Sequence, residues 1–321
     1  MRTLASALSL HKPASRRLGA AAVLLLVSGL AHLLFLLAVS GDWTGPVSLR
    51  KPITFGLSVG MLLWTVGWVI DRLPSRSRLE KSLGLGMVLS GLTEVALISV
   101  QAWRGVPSHF NYTTVEDLVV FVSMGVSIAV LSVGLLITTV WTFAARLADG
   151  TVALAVRAGM VLVLTGLGIG QWIIELGNDF IERYDLVPDR VLSGEAGVPT
   201  FPHAMGFHGI QVFIVAALIT GLVGLNAHAA RRVLRLLVAG YSALLGWAVL
   251  QAASGRAPSD VLWSGGGLAV LGVALLAAAA WQLVVGWRRS ESRNVPALAV
   301  CQQTARVGAG VEGKPAVPSA L

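Results

Sequence analysis

The chain has 321 residues, of which 55% are hydrophobic and only 12% carry a charge, and its mean hydropathy is +0.77. A soluble domain carries about 25% charged residues, so this composition excludes a soluble globular core. The formal net charge of +8 would suggest nucleic acid if the basic residues formed one patch, but they lie at the ends of apolar runs. We therefore expect membrane lipids, and no nucleic acid, as their partners.

The N-terminal segment, residues 1–17, is basic and is followed by an apolar run over residues 18–40. This run resembles a signal peptide, but it is longer than the 7–15 apolar residues typical of one and long enough to cross a hydrocarbon core of ~30 Å. We therefore predict a retained transmembrane helix. Cleavage near Ser40 is the alternative.

Seven more apolar runs follow, at residues 52–70, 82–101, 117–143, 152–176, 203–225, 232–252 and 261–286. The sequence thus predicts an all-α fold, a polytopic transmembrane bundle of about eight helices that occupies residues 18–286. The seventh helix is flanked by charges, since Arg235 lies near its start and Arg256 shortly after its end. Without it, the C-terminus would lie on the other side of the membrane.

The basic residues alternate between the two sides of this bundle. Seventeen Lys and Arg lie in alternate segments, and the other connections hold only six. The rich segments are 1–17, 71–81, 144–151, 226–235 and 287–321. Because cytoplasmic loops carry the excess of Lys and Arg, we predict a cell-membrane protein with both termini in the cytoplasm.

The C-terminal tail, residues 287–321, is rich in Pro, Gly, Ala and Ser and has no apolar period. This composition predicts disorder. The single cysteine, Cys301, lies in this tail, which excludes an internal disulfide and a cysteine-based metal cluster.

Ionisable side chains interrupt several of the predicted helices, although a charge at the bilayer centre costs roughly 2.5–3.5 kcal/mol. Glu94, His32 and His208 lie about 8–12 Å below the predicted outer surface, at about 1.5 Å per residue. Gln171, Glu175 and Gln211 fall in the same layer. The sequence therefore predicts a site of histidine and carboxylate side chains that faces outward.

The loop after the third predicted helix adds more chemistry than a simple turn needs, since it contains Arg104, His109 and Asn111 within eight residues. We predict two groups of site residues. The candidate catalytic residues are Glu94, His109, His208 and Glu175. The candidate substrate-binding residues are Lys51, Arg104, Asn111, Gln171 and Gln211.

Two cofactors are compatible with these histidines. His109, His203 and His208 are candidate ligands for a divalent metal such as zinc or iron, although His203 and His208 are about 140° apart around a straight helix. Alternatively, His32 and His208 lie at similar depth on different helices and could be the axial ligands of haem b.

Three segments carry a resemblance to known proteins: residues 51–58 (KPITFGLS), 104–111 (RGVPSHFN) and 203–208 (HAMGFH). They resemble segments of a family of bacterial multi-pass integral membrane proteins. The resemblance implies that Lys51, His109, Asn111, His203 and His208 belong to the family pattern. It transfers no reaction.

The function that we predict first is a membrane-embedded enzyme that acts on a lipid-like substrate by metal-assisted or acid–base chemistry. A haem-binding redox protein and a transporter or sensor of a small molecule are the alternatives. A purely structural role remains for each polar residue, because a buried histidine or carboxyl can simply hydrogen-bond to a neighbouring helix. The sequence does not predict the oligomeric state.

Overall fold

The computed structural model describes residues 4–44, 47–185, 197–257, 259–260 and 265–309, with side chains from residue 6 to residue 289. These residues form nine helices, of which the last eight are long and apolar enough to cross a membrane. The prediction of an all-α polytopic bundle is confirmed. The helices are α1 (Leu4–Leu8), α2 (Pro13–Ala38), α3 (Arg50–Arg72), α4 (Ser77–Trp103), α5 (Val115–Ala144), α6 (Gly150–Tyr184), α7 (Thr200–Leu222), α8 (Ala227–Ala253) and α9 (Gly266–Ala309).

Helix α6 is longer than the apolar run that predicts it. It begins after Asp149, whose carboxylate accepts hydrogen bonds from the backbone N–H groups of Thr151 and Val152. Its 35 residues span about 52 Å at 1.5 Å per residue, which exceeds a hydrocarbon core of ~30 Å. The segment between the apolar runs at residues 152–176 and 203–225 is therefore partly helical, and residues 186–196 lie outside the described chain.

Helix α9 begins at Gly266. Residues 261–264, which the sequence assigns to the last predicted helix, lie outside the described chain. Its backbone continues to Ala309, into the segment for which the sequence predicts disorder. The physical reason is local composition, because residues 297–309 are mainly Ala, Val, Gln, Arg and Leu, most of which are good helix formers. Residues 310–321 are not described.

The helices pack as two groups of four. Helix α2 packs against α3 and α4, and α4 against α5; α6 packs against α7, α7 against α8, and α8 against α9. The two groups meet where α5 contacts α6 and where α3 contacts α7. The contact between α3 and α7 is the part of the fold that positions the candidate site.

Glycines allow the closest helix pairs to approach. A Cβ on Gly56 of α3 would lie 3.0 Å from the Cα of Gly29 in α2. A Cβ on Gly206 of α7 would lie 2.6 Å from the Cα of Gly166 in α6. Small residues at such crossings let two backbones pack tightly in a membrane, so α3 and α7 are each held firmly against a neighbour.

Candidate functional site

The connection between α4 and α5, residues 104–114, folds back against the bundle, and Asp117 in the first turn of α5 fixes its ends. The Asp117 carboxylate accepts hydrogen bonds from Gln101 Nε2 at 2.9 Å, Arg104 Nη1 at 2.8 Å and Thr114 Oγ1 at 2.9 Å. Arg104, which the sequence predicts to bind substrate, therefore lies in an ion pair that closes the loop. Its observed contacts are structural.

Asn111 also holds the loop in shape. Its Nδ2 donates a hydrogen bond to the carbonyl oxygen of Pro107 at 3.2 Å, and its Oδ1 accepts one from Thr113 Oγ1 at 2.6 Å. The Asn111 side chain is buried, and both its nitrogen and its oxygen form hydrogen bonds. Like Arg104, Asn111 thus contacts the loop itself and supports the residues between it and Pro107.

Phe110 wedges the loop into the bundle. Its φ of 57° lies in the left-handed region, which is unusual for a bulky residue, and its side chain is only 2% exposed. The ring packs against Gly177 of α6 so closely that a Cβ there would overlap it. Backbone strain of this kind costs about 1–3 kcal/mol and is concentrated at functional sites.

The wedged loop places four polar side chains in a row, which we call the Lys51–Glu94 relay: Lys51, Ser108, His109 and Glu94. Lys51 Nζ lies 3.5 Å from Ser108 Oγ, and Ser108 Oγ lies 3.0 Å from His109 Nδ1. On the other side of the imidazole, Nε2 lies 4.0 Å from Glu94 Oε1. Residues from α3, the loop and α4 thus converge.

The donors and acceptors of the relay give it a direction. An ammonium can only donate, so the Ser108 oxygen accepts from Lys51, and the Ser108 hydroxyl is left to donate to His109 Nδ1. The imidazole then carries its proton on Nε2, which faces the Glu94 carboxylate. A hydroxyl within hydrogen-bonding distance of a neutral imidazole can pass its proton to that base, and the Glu94 carboxyl group lies 4.0 Å from the other ring nitrogen.

The relay is buried. The exposed fraction is 1% for Glu94 and 3% for Ser108, and the His109 side chain is 16% exposed. Burial and the nearby Lys51 ammonium lower the pKa of His109 to about 3, so the imidazole is neutral at physiological pH. Glu94 Oε2 is buried and has no hydrogen-bond partner among the described residues, which in a native protein requires an explanation.

One face of α3 connects the relay to α7. Lys51, Phe55 and Ser58 are spaced i, i+4 and i+7, so they share that face. The Phe55 ring lies 5.9 Å from the His109 ring, and Ser58 Oγ lies 3.3 Å from His208 Nε2. Phe55, Ser58 and His208 are only half-buried, so this is the less covered side of the site.

A second polar contact lies farther along the same pair of helices. When the Gln211 amide is oriented so that its oxygen faces the Thr65 hydroxyl of α3 at 3.2 Å, its nitrogen donates to the backbone carbonyl of His208 at 3.0 Å. Together with the contact between Ser58 and His208, it forms what we call the α3–α7 seam. The structure thus brings His208 and Gln211, both predicted from the sequence, to the boundary between the two groups of helices.

Other predicted site residues lie elsewhere. Gln171 and Glu175 are exposed on α6, on a face that does not contribute to the relay. Their predicted depth rested on a helix ending at residue 176, whereas α6 continues to Tyr184. His203 Nδ1 donates to the carbonyl oxygen of Gly166 at 2.8 Å, a contact that joins α7 to α6.

The predicted haem ligands do not fit a haem. His32 Nδ1 donates to the carbonyl oxygen of Ser28 at 2.8 Å, and His32 Nε2 accepts a hydrogen bond from Trp103 Nε1 at 3.1 Å. Both ring nitrogens are therefore in use within and beside α2, and no lone pair is left for iron. His208 instead contacts Ser58.

The predicted metal ligands are also not brought together. His109 contacts Ser108 and Glu94, whereas His203 and His208 have separate partners on α6 and α3. In the part of the chain that the structure describes, no group of three or more His, Cys, Asp or Glu side chains could hold a metal ion.

Two residues of the site, Ser108 and Ser58, are not found by the sequence reasoning. Ser108 directly precedes His109, and Ser58 lies seven residues after Lys51, on the same face of α3. The position of Ser108 beside a histidine in a polar loop is a usable signal. Ser58 has none, because serine is common in transmembrane helices.

Comparisons with protein-family models, curated proteins and solved structures give no match. The resemblance of residues 51–58, 104–111 and 203–208 to a bacterial membrane protein family therefore stays a prediction. In the structure these three segments meet, since Lys51, Ser108 and His109 are in one relay and the Ser58 side chain contacts His208.

Proposed function

We propose that this chain is a membrane-embedded enzyme that acts on a lipid-like ester by acid–base chemistry, with Ser108 as nucleophile and His109 as general base. The observation that carries the proposal is the contact of Ser108 Oγ with His109 Nδ1 at 3.0 Å, while Nε2 faces Glu94. A nucleophile within hydrogen-bonding reach of a base that a third group orients is typical of covalent catalysis.

The proposed reaction begins when Ser108 Oγ attacks the carbonyl carbon of the ester. A bond forms between Oγ and that carbon, and the hydroxyl proton passes to His109 Nδ1. The negative charge on the carbonyl oxygen is stabilised by the Lys51 ammonium, and the imidazolium that forms faces the Glu94 carboxyl group. The bond to the leaving alcohol then breaks, and the alcohol takes the proton back from Nδ1.

The acyl group is then carried on Ser108 as an ester. A water molecule or a second alcohol attacks it, gives its proton to His109 Nδ1, and leaves with the acyl group as the proton returns to Ser108 Oγ. Atoms and charges balance without a metal or a redox partner. Hydrolysis and acyl transfer differ only in which of these two acceptors reaches the site.

The depth of the site supports a lipid-like substrate. Glu94 lies nine residues before Trp103 at the end of α4, about 13 Å along the helix axis. A reacting ester has to reach below the helix ends, past the half-buried Phe55 and His208. An ester carried on an apolar chain can do this inside a membrane, whereas a strongly hydrated molecule would lose its water.

For the orientation, we propose a cell-membrane protein whose termini are in the cytoplasm. The alternation of Lys and Arg between the two ends of the bundle supports this, and eight successive crossings would return the chain to its starting side. The relay would then lie in the outer half of the membrane.

The proposal predicts that purified protein in detergent reacts with a fluorophosphonate probe at Ser108. Wild type should be labelled, and Ser108→Ala should lose the label because the hydroxyl that forms the bond is gone. A matched control is Ser90→Ala, since Ser90 only donates a hydrogen bond to the carbonyl of Gly86 within α4. Gel fluorescence and peptide mass spectrometry measure the label. Equal labelling of wild type and Ser108→Ala would rule out Ser108 as the nucleophile.

A second candidate is proton-coupled transport, which the α3–α7 seam specifically favours. Its polar pairs lie between the two groups of four helices, and binding at the boundary of two structural halves is common in transporters. Uptake into vesicles separates the two functions. If the protein is a transporter, Ser108→Ala should still take up the transported molecule into vesicles, and Glu94→Gln should not. If the protein is an enzyme, both variants should lose enzymatic activity.

A further inference from the structure

A large groove lies at the opposite end of the bundle from the relay, between the end of α5, the start of α6 and α8. Its volume is about 740 Å³, within the range of about 300–1,000 Å³ that is typical of small-molecule sites. Most of its wall is apolar. The wall includes Leu147, Ala153, Leu154, Ala158, Leu162 and Val238.

Arginines border this groove. Arg146 and Arg157 line it, and Arg146 is exposed. Arg231 lies beside Gly150 of the rim, since its Nη1 would be 3.6 Å from a Cβ there. Among the described residues that line the groove there is no carboxylate. Asp149 directly precedes Gly150 in the chain, and its carboxylate caps α6.

Arg157 is held in place by backbone contacts. Its Nε donates to the carbonyl oxygen of Thr142 at 3.0 Å, and its Nη2 donates to that of Ala145 at 2.9 Å. These contacts fix the guanidinium against the end of α5, with its Cζ 5.7 Å from the Phe143 ring centroid. Arg157 is also seven residues into α6, about 10 Å along the helix. The groove thus combines a fixed cation with an apolar wall.

We propose that this groove binds an anionic phospholipid, with the phosphate against the arginines and an acyl chain along the apolar wall. Charge complementarity carries the argument, because a basic pocket between membrane helices attracts an anionic headgroup. The groove is also at the end of the bundle where α2 starts and where the basic segments of the sequence lie. The proposal is independent of the chemistry at Ser108.

The test is thermal unfolding of the full chain in nanodiscs of phosphatidylcholine, with and without phosphatidylglycerol. A ligand that binds only the folded state raises the midpoint temperature, so we expect phosphatidylglycerol to raise it for wild type. Arg146→Gln with Arg231→Gln should lose most of this increase. Ala158→Trp, which fills the groove and keeps every arginine, should lose it too.

The matched control is Arg78→Gln with Lys81→Gln, which removes the same charge from exposed positions of α4 at the same end of the bundle. It should keep the wild-type increase. Equal loss in this control would assign the effect to general surface charge and overturn the proposal. So would an increase caused by inorganic phosphate alone in pure phosphatidylcholine, or an unchanged increase in Ala158→Trp.

Discussion

Replacing His109 by glutamine should lower the rate at which Ser108 is labelled by a fluorophosphonate by about 10²–10⁴-fold, the usual contribution of a positioned general base. The side chain that accepts the Ser108 proton at 3.0 Å is then gone. The labelling rate is measured from time courses at a fixed probe concentration. Size-exclusion profiles check that each variant stays folded.

Glu94→Gln keeps the size of the side chain and removes its carboxyl group, so it should slow labelling in the same way. Because the groups of a relay act as a unit, the double variant of His109 and Glu94 should be little slower than either single variant. His228→Gln is the control, since His228 is exposed on α8. If the reductions in labelling rate of the two single variants multiply in the double variant, Glu94 acts independently of His109.

Gly177→Ala should slow the same labelling reaction nearly as much, although Gly177 lies on α6, which supplies none of the four relay residues. Its Cβ would overlap the fully buried ring of Phe110, and overpacking of a core costs about 1–3 kcal/mol. Phe110 has to move, and His109, the preceding residue, moves with it. The expected result is a folded protein in which the fluorophosphonate labels Ser108 slowly.

Gly168→Ala is the matched control on α6, because a Cβ there would meet nothing within 4 Å. It should label at the wild-type rate. Combining Gly177→Ala with Phe110→Leu, which shortens the ring side chain, should restore part of the rate. Wild-type labelling in Gly177→Ala would contradict the view that this contact holds the loop in place.

The helices could be predicted from the sequence because each is an apolar run long enough to span a membrane, and all eight were found. Their ends could not. Helix α6 continues to Tyr184 on polar residues that lower the hydropathy without interrupting the helix, so Glu175 and Gln171 were assigned a depth that this helix does not give them. Hydropathy shows which residues favour the membrane core, whereas a helix ends where its backbone hydrogen bonds end.

The candidate site stands out in the sequence for two reasons. Glu94 and His208 are ionisable groups in apolar runs, where they are costly, and His109 lies in a loop that concentrates polar side chains. Arg104 and Asn111 stand out in that same loop, but they shape it through Asp117 and Pro107. Sequence does not reveal which polar group meets which, and here the left-handed backbone at Phe110 decides it.

The protonation state of His109 tests the account most directly. The protein has six histidines, and ¹⁵N NMR of the histidine-labelled chain, with His109 assigned by its loss in His109→Gln, measures the charge and tautomer of this ring. Because burial and Lys51 lower the pKa of His109 to about 3, we expect a neutral imidazole with its proton on Nε2 as the pH falls through 6.5. Protonation near 6.5, or a proton on Nδ1 in the neutral ring, would contradict the relay.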